Sequence, residues 1–103
     1  MNAINLKLSC DEMQAFQSMI TVNLFPLEEC DKHCLKITWF ILYGIGNRLW
    51  KCMMLRFQGK KNFRLSVIEC YALHAWLNSF SLDDDYSKVV RSEIFTTIDK
   101  KIR

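Results

Sequence analysis

Residues Asn62–Leu77 read NFRLSVIECYALHAWL, and the stretch has a counterpart near the start of the chain, where Asn5–Ile20 read NLKLSCDEMQAFQSMI. At an offset of 57, five of the sixteen positions are identical: Asn5/Asn62, Leu8/Leu65, Ser9/Ser66, Glu12/Glu69 and Ala15/Ala72. Lys7/Arg64, Phe16/Leu73 and Ile20/Leu77 keep their character. Each copy has a short alternating run, then a serine with a glutamate three residues on, then an apolar stripe at helical spacing. Alternation is the period of a half-buried strand. The Ser…Glu pair is a capping box, in which the serine hydroxyl accepts from the glutamate amide and the carboxylate returns to the serine amide.

Working outward, Ile4, Leu6 and Leu8 form the first short strand. A helix follows from about Cys10 to Asn23, with Met13, Phe16, Ile20 and Leu24 on one face. Pro26 ends it or follows its end. After a charged connection, LEECDK, a second helix is expected from Asp31 or His33 to Phe57. Ile45, Leu49, Met53 and Phe57 line one side of it, with Leu42, Trp39 and Trp50 beside them. The opposite side carries Thr38, Gly44, Asn47, Arg48, Lys51 and Gln58. Gly44 and Gly46 either allow a close helix–helix approach or mark a kink. The stretch QGKKN at 58–62 reads as a turn, and Phe63–Leu65 as the second short strand. The third helix carries Cys70, Leu73 and Leu77, with Ala72 and Trp76 alongside, and runs to Asn78 or Phe80. A fourth starts at Asp83 or Asp84 and runs to Ile102, with Val90, Ile94, Ile98 and Ile102 as its stripe.

At an offset of 49, Ile45/Ile94, Leu49/Ile98 and Met53/Ile102 also correspond. The repeat thus extends to a strand–helix–helix unit used twice, halves 4–57 and 62–102, within one domain of residues 1–103. Neither half buries its own apolar face. The fold expected is mainly α: four helices in two pseudo-repeated halves, with a minimal two-stranded antiparallel ribbon. Asp11 and Cys10 of the first copy become Ile68 and Val67 in the second, so the second helix start is expected to be the more buried.

Composition narrows the function classes. Half of the residues are apolar and 13% are aromatic, more Trp, Phe and Met than a core of this size absorbs. Apolar surface left over for a partner or for self-association is the expectation. One Pro and three Gly exclude a disordered or low-complexity chain. The longest uncharged run in the central region, Ile37–Asn47, is too short for the ~20 residues that span a bilayer. The N-terminus shows no apolar signal segment, and five cysteines suit free thiols in a reducing cytoplasm.

Candidate chemistry is sparse. Cys30, His33 and Cys34 have metal-ligand composition, and Cys10, Cys52 or Cys70 would supply a fourth zinc ligand. The spacing lacks the paired C-x2-C pattern, so neither metal nor cofactor is expected. A thiolate near a helix start is acidified, which makes Cys30 and Cys34 the candidate reactive thiols. His74 has no nucleophile and carboxylate constellation near it in sequence. Asp83–Asp85 lacks the calcium-loop pattern and reads as a redundant N-cap. No phosphate loop is present. An enzyme is the least supported class.

Charge is segregated. Residues 1–31 carry a net −4, residues 32–68 a net +8 with no acid at all, and residues 69–103 a net −1. Arg48, Lys51, Arg56, Lys60, Lys61 and Arg64 are the candidate nucleic-acid-binding residues. The competing reading has them neutralise the acidic first helix and complement the dipole of the second. The pI of 8.6 is low for a dedicated nucleic-acid binder. The function expected is a small non-enzymatic helical interaction module, a homo-oligomer or a binder of a protein partner, with Trp39, Trp50, Phe57 and Trp76 as contact or core residues. A nucleic-acid-binding accessory protein using the basic 48–64 segment is the alternative.

Overall fold

The computed structural model describes residues 3–24 and 33–103, with the side chains of His33 and Cys34 outside the description. Pro26, Cys30 and the 25–32 connection lie outside the described residues, and so do the side-chain roles considered for His33 and Cys34.

The chain runs β1 (Ile4–Ser9), α1 (Cys10–Asn23), α2 (His33–Met54), β2 (Lys60–Leu65), α3 (Val67–Trp76) and α4 (Asp85–Ile102). This is the mainly helical, four-helix arrangement with one two-stranded antiparallel sheet that the sequence predicts. β1 and β2 pair in a register that sets Ile4 opposite Leu65 and Ser9 opposite Lys60. Each strand is six residues long, one more than the alternating run from Ile4 to Leu8 and twice the run Phe63–Leu65. The extra pairing comes from Lys60–Asn62, polar residues expected in the turn. They sit on an edge strand, where polar side chains are tolerated. The turn itself closes earlier, at Gly59, whose φ of 73° suits a residue without Cβ.

Both strands feed directly into a capped helix. Ser9 Oγ accepts from the Glu12 amide at 3.1 Å, and the Ser9 amide donates to Glu12 Oε1 at 3.0 Å. Ser66 and Glu69 repeat the arrangement at 3.2 and 2.9 Å. Asp84 caps α4 by accepting from the Ser87 amide at 2.8 Å. The helices pack mainly in a ring, α1 on α2, α2 on α3, α3 on α4 and α4 on α1, with α1 and α4 also against β1. Met13, Phe16 and Ile20 from α1, Leu42, Ile45 and Leu49 from α2, Leu73 and Trp76 from α3, and Val90, Ile94 and Ile98 from α4 fill the centre. Ile4, Leu6, Leu8, Phe63 and Leu65 close it from the ribbon.

Several boundaries differ from the periodicity. α2 ends at Met54, three residues before Phe57, and the Phe57 carbonyl accepts from the Cys10 thiol at 3.4 Å instead of continuing the helix. α3 stops at Trp76, where the Ser79 amide and hydroxyl both donate to the Trp76 carbonyl. α2 is one helix through both glycines. At Gly46 the approach is close, since a Cβ there would stand 3.3 Å from Cγ2 of Ile20 on α1. The second capped helix start is not the more buried one. Ile68 is 66% exposed, because its position on α3 faces away from the core that Cys70 and Leu73 enter.

Candidate interaction surface

α2 carries large apolar side chains on two of its faces. Leu42, Ile45 and Leu49 point inward and are fully buried. On the outer side Phe40, Tyr43, Trp50 and Met54 are 59%, 49%, 58% and 69% exposed. Ile37 and Leu55 are exposed beside them. Trp39 lies at the edge of this face. Its ring stacks on Tyr43 at 5.0 Å between centroids and meets Phe40 edge-on at 5.2 Å. The three rings therefore form one ordered surface cluster held by the helix backbone. Of the tryptophans and Phe57 expected in contact or core, Trp76 enters the core, Trp39 and Phe57 are half-buried, and Trp50 faces out.

The basic residues divide. Arg48 turns away from the outer face. Its Nη1 donates to Glu69 Oε2 at 2.5 Å, its Nη2 donates to the Arg64 carbonyl, and its guanidinium lies 4.6 Å from the Phe63 ring centroid. Lys60 stands 3.4 Å from Glu12 Oε1, and Lys61 covers the Phe57 ring at 4.8 Å. Each capping-box glutamate thus takes a cation from the basic middle of the chain. Lys51, Arg56 and Arg64 are exposed on three separate elements: α2, the segment after it, and β2. Strand alternation adds a residue that charge counting along the chain passes over. Lys7 stands on β1 opposite Asn62 and shares the outer face of the ribbon with Asn5 and Arg64. The register of the antiparallel pair is the signal that brings it there.

The electrostatics follow from these contacts. Partial burial alone raises the Glu12 carboxyl, but the Ser9 amide and the Lys60 ammonium outweigh it and hold its pKa below 4.5. The hydrogen bond from His74, with Arg103 beside it, holds Asp99 below the usual carboxylate range. His74 Nε2 lies 2.9 Å from Asp99 Oδ1, and its ring stacks on Phe95 at 4.9 Å, so this histidine links α3 to α4. Burial, with Glu69 next in effect, pushes the Cys70 thiol up.

Cys10, Cys52 and Cys70 are free thiols on different elements, and no group of three or more His, Cys, Asp or Glu gathers at metal-binding distance among the described residues. An open cleft between α1 and the C-terminal end of α2 is lined by Cys10, Asp11, Gln14, Trp50, Met53 and Arg56, among others. It joins the outer face of α2 to the acidic start of α1. No helix among the described residues is long and apolar enough to cross a membrane.

Compared with known proteins, the chain matches no family model, no curated protein and no solved structure at a significant level.

Proposed function

We propose that the protein is a small non-enzymatic interaction module whose contact surface is the outer face of α2. The observation that carries this reading is the row of Phe40, Tyr43, Trp50 and Met54, each about half exposed or more. Scattered exposed apolar residues are ordinary, but large apolar side chains gathered on one face of a helix mark a contact surface. Aromatic side chains also dominate binding energy at protein interfaces, because they bury much area at little rotamer cost. The free thiols Cys10, Cys52 and Cys70 fit a reducing compartment, and the proposal places the protein in the cytoplasm.

The nucleic-acid alternative rests on Lys7, Lys51, Arg56 and Arg64, which are exposed. It is weakened by the intramolecular partners that Arg48, Lys60 and Lys61 hold, with both lysines still exposed. A photo-crosslinking amino acid placed at position 40 or 50 in cells separates the two. The module reading expects a discrete protein adduct at both positions. Adducts to nucleic acid alone, or no adduct at either position, would overturn it.

A further inference from the structure

We infer that the partner on this face is a second copy of the chain, paired through α2 in antiparallel orientation about a twofold axis level with Ile45. The inference rests on the interaction-module reading and names its occupant.

The outer stripe of α2 is Lys36, Phe40, Tyr43, Asn47, Trp50 and Met54. The steps alternate between four residues and three, the period of 3.5 that keeps one seam facing a partner helix over several turns. The stripe is also symmetric in its chemistry. Antiparallel pairing about Ile45 sets Phe40 against Trp50 of the second copy, ring against ring. It sets Tyr43 against Asn47, a phenol against a carboxamide, so the polar groups that the seam buries partner each other. Lys36 comes level with Met54, at the helix end where unpaired carbonyls concentrate negative potential. That end borders the cleft holding Asp11, with Arg56 also on its rim. An isologous interface requires such self-complementarity, residue i meeting j while j meets i.

Charge favours the antiparallel orientation. α2 contains no acidic residue. Parallel pairing sets Lys36 against Lys36 and Lys51 against Lys51 with nothing to neutralise them. Antiparallel pairing staggers Lys36 and Lys51 by three residues, about 4.5 Å along the axis.

Gly44 supplies an independent observation. It lies in the middle of α2, one residue from the level of the axis, and a Cβ built on it meets nothing within 4 Å among the described residues. No contact among the described residues therefore calls for a glycine there, although glycine weakens a helix interior. A neighbouring backbone passing at that level supplies such a contact. Gly46, by contrast, is accounted for by Ile20.

The area suffices. A fully covered aromatic side chain buries about 200 Å². The half-exposed rings of Phe40, Tyr43 and Trp50 leave about 600 Å² across a pair. Met54, Asn47 and the Lys36 stem bring the total toward the ~1,000 Å² of a specific interface. Trp39 already holds Tyr43 and Phe40 in place, which lowers the ordering cost of association.

Sedimentation equilibrium of the full chain, with circular dichroism to confirm folding, tests the pairing. Wild type is expected to be a dimer at micromolar concentration. Phe40→Glu and Trp50→Lys are each expected to weaken it at least 100-fold, since each change occurs twice per dimer. The double variant is expected to recover dimerisation, because position 40 meets position 50 of the second copy. Gly44→Leu is expected to remain folded and become monomeric. A wild type that stays monomeric at about 100 µM, singles that still dimerise, or a double variant that stays monomeric would each overturn the inference. If wild type is monomeric while position 40 still cross-links to another protein in cells, the module reading stands and only the second copy is lost.

Discussion

Arg48 on α2 and Glu69 on α3 stand 2.5 Å apart, and the same glutamate closes the capping box on Ser66 through its other oxygen at 2.9 Å. A cation, a cap and the end of β2 are thereby fastened in one cluster, since Arg48 also donates to the Arg64 carbonyl. Glu69 is only 17% exposed while Arg48 is 42% exposed, so the carboxylate loses more than the cation if the pair is broken. Arg48→Ala is expected to lower stability by about 1–2 kcal/mol, read as a fall in the denaturant midpoint. Arg48→Lys is expected to recover less than half, because an ammonium does not serve Glu69, the Arg64 carbonyl and the Phe63 face together. An unchanged midpoint for Arg48→Ala would return this residue to the pool of free surface cations.

Glu12 and Lys60 make the matching pair at the other end of the ribbon, and they carry a pH signature. The folded-state pKa of Glu12 lies below its ordinary value of 4.5. A carboxylate depressed by folding stabilises the native state above its unfolded pKa, and that stabilisation is lost as pH falls through the folded pKa. Glu12→Gln keeps a group that can serve the capping box and removes only the charge. It is expected to cost about 0.5 kcal/mol at pH 7, a modest figure because Lys60 is mostly exposed. The difference from wild type should narrow as pH falls below 4.5 in urea titrations. A gap that does not narrow as the carboxylate takes up its proton would show that the charge is not its source.

The two capping boxes explain why so much of the fold is legible in the sequence. Ser9/Glu12 and Ser66/Glu69 place both helix starts to the residue, and the stripes behind them name Met13, Phe16, Ile20, Cys70, Leu73 and Leu77 as core. α2 is a different case. Its start and its inward stripe of Leu42, Ile45 and Leu49 are legible, but its C-terminal end depends on the contact of Cys10 with Phe57, and the pattern does not show that large apolar side chains also line the outer side. Trp50 reads as a neighbour of the core stripe, yet it faces solvent together with Phe40 and Tyr43. Arg48 reads as a member of the polar face, yet it is drawn to Glu69, which lies 21 residues away and on another helix. A one-dimensional pattern records the period of a helix and not its rotation against neighbours. For that reason Trp50 is legible only as a contact or core residue, and Phe40, Tyr43 and Met54 are not singled out.

Cys70 tests the depth of the core. It is fully buried on α3, and burial raises its thiol pKa, so both access and the thiolate fraction oppose reaction. Cys10 and Cys52 are only partly covered. Mass-spectrometric mapping after a brief pulse of a thiol reagent at pH 8 should find Cys10 and Cys52 modified and Cys70 intact. Cys70 should react at the rate of global unfolding and follow the denaturant midpoint. Labelling of Cys70 at the rate of Cys10 would mean that α3 opens locally, at odds with its packing against α2 and α4.

The glycines of α2 give opposite forecasts from one helix. Both lose backbone freedom on folding, so an alanine at either position gains about 0.5–1 kcal/mol before any contact is considered. At Gly44 no described residue opposes that gain in a single chain, because the added Cβ meets none of them within 4 Å. At Gly46 the Cβ stands 3.3 Å from Ile20 Cγ2, and Ile20 is itself only 2% exposed within a packed core. The close contact pushes α1 from α2, and interior packing gives little way. Gly44→Ala is therefore expected to raise the unfolding midpoint, measured at protein concentrations low enough to keep the chain monomeric. Gly46→Ala is expected to leave it unchanged or lower it. A larger gain at Gly46 than at Gly44 would mean that α1 and α2 pack less closely than the Ile20 contact requires.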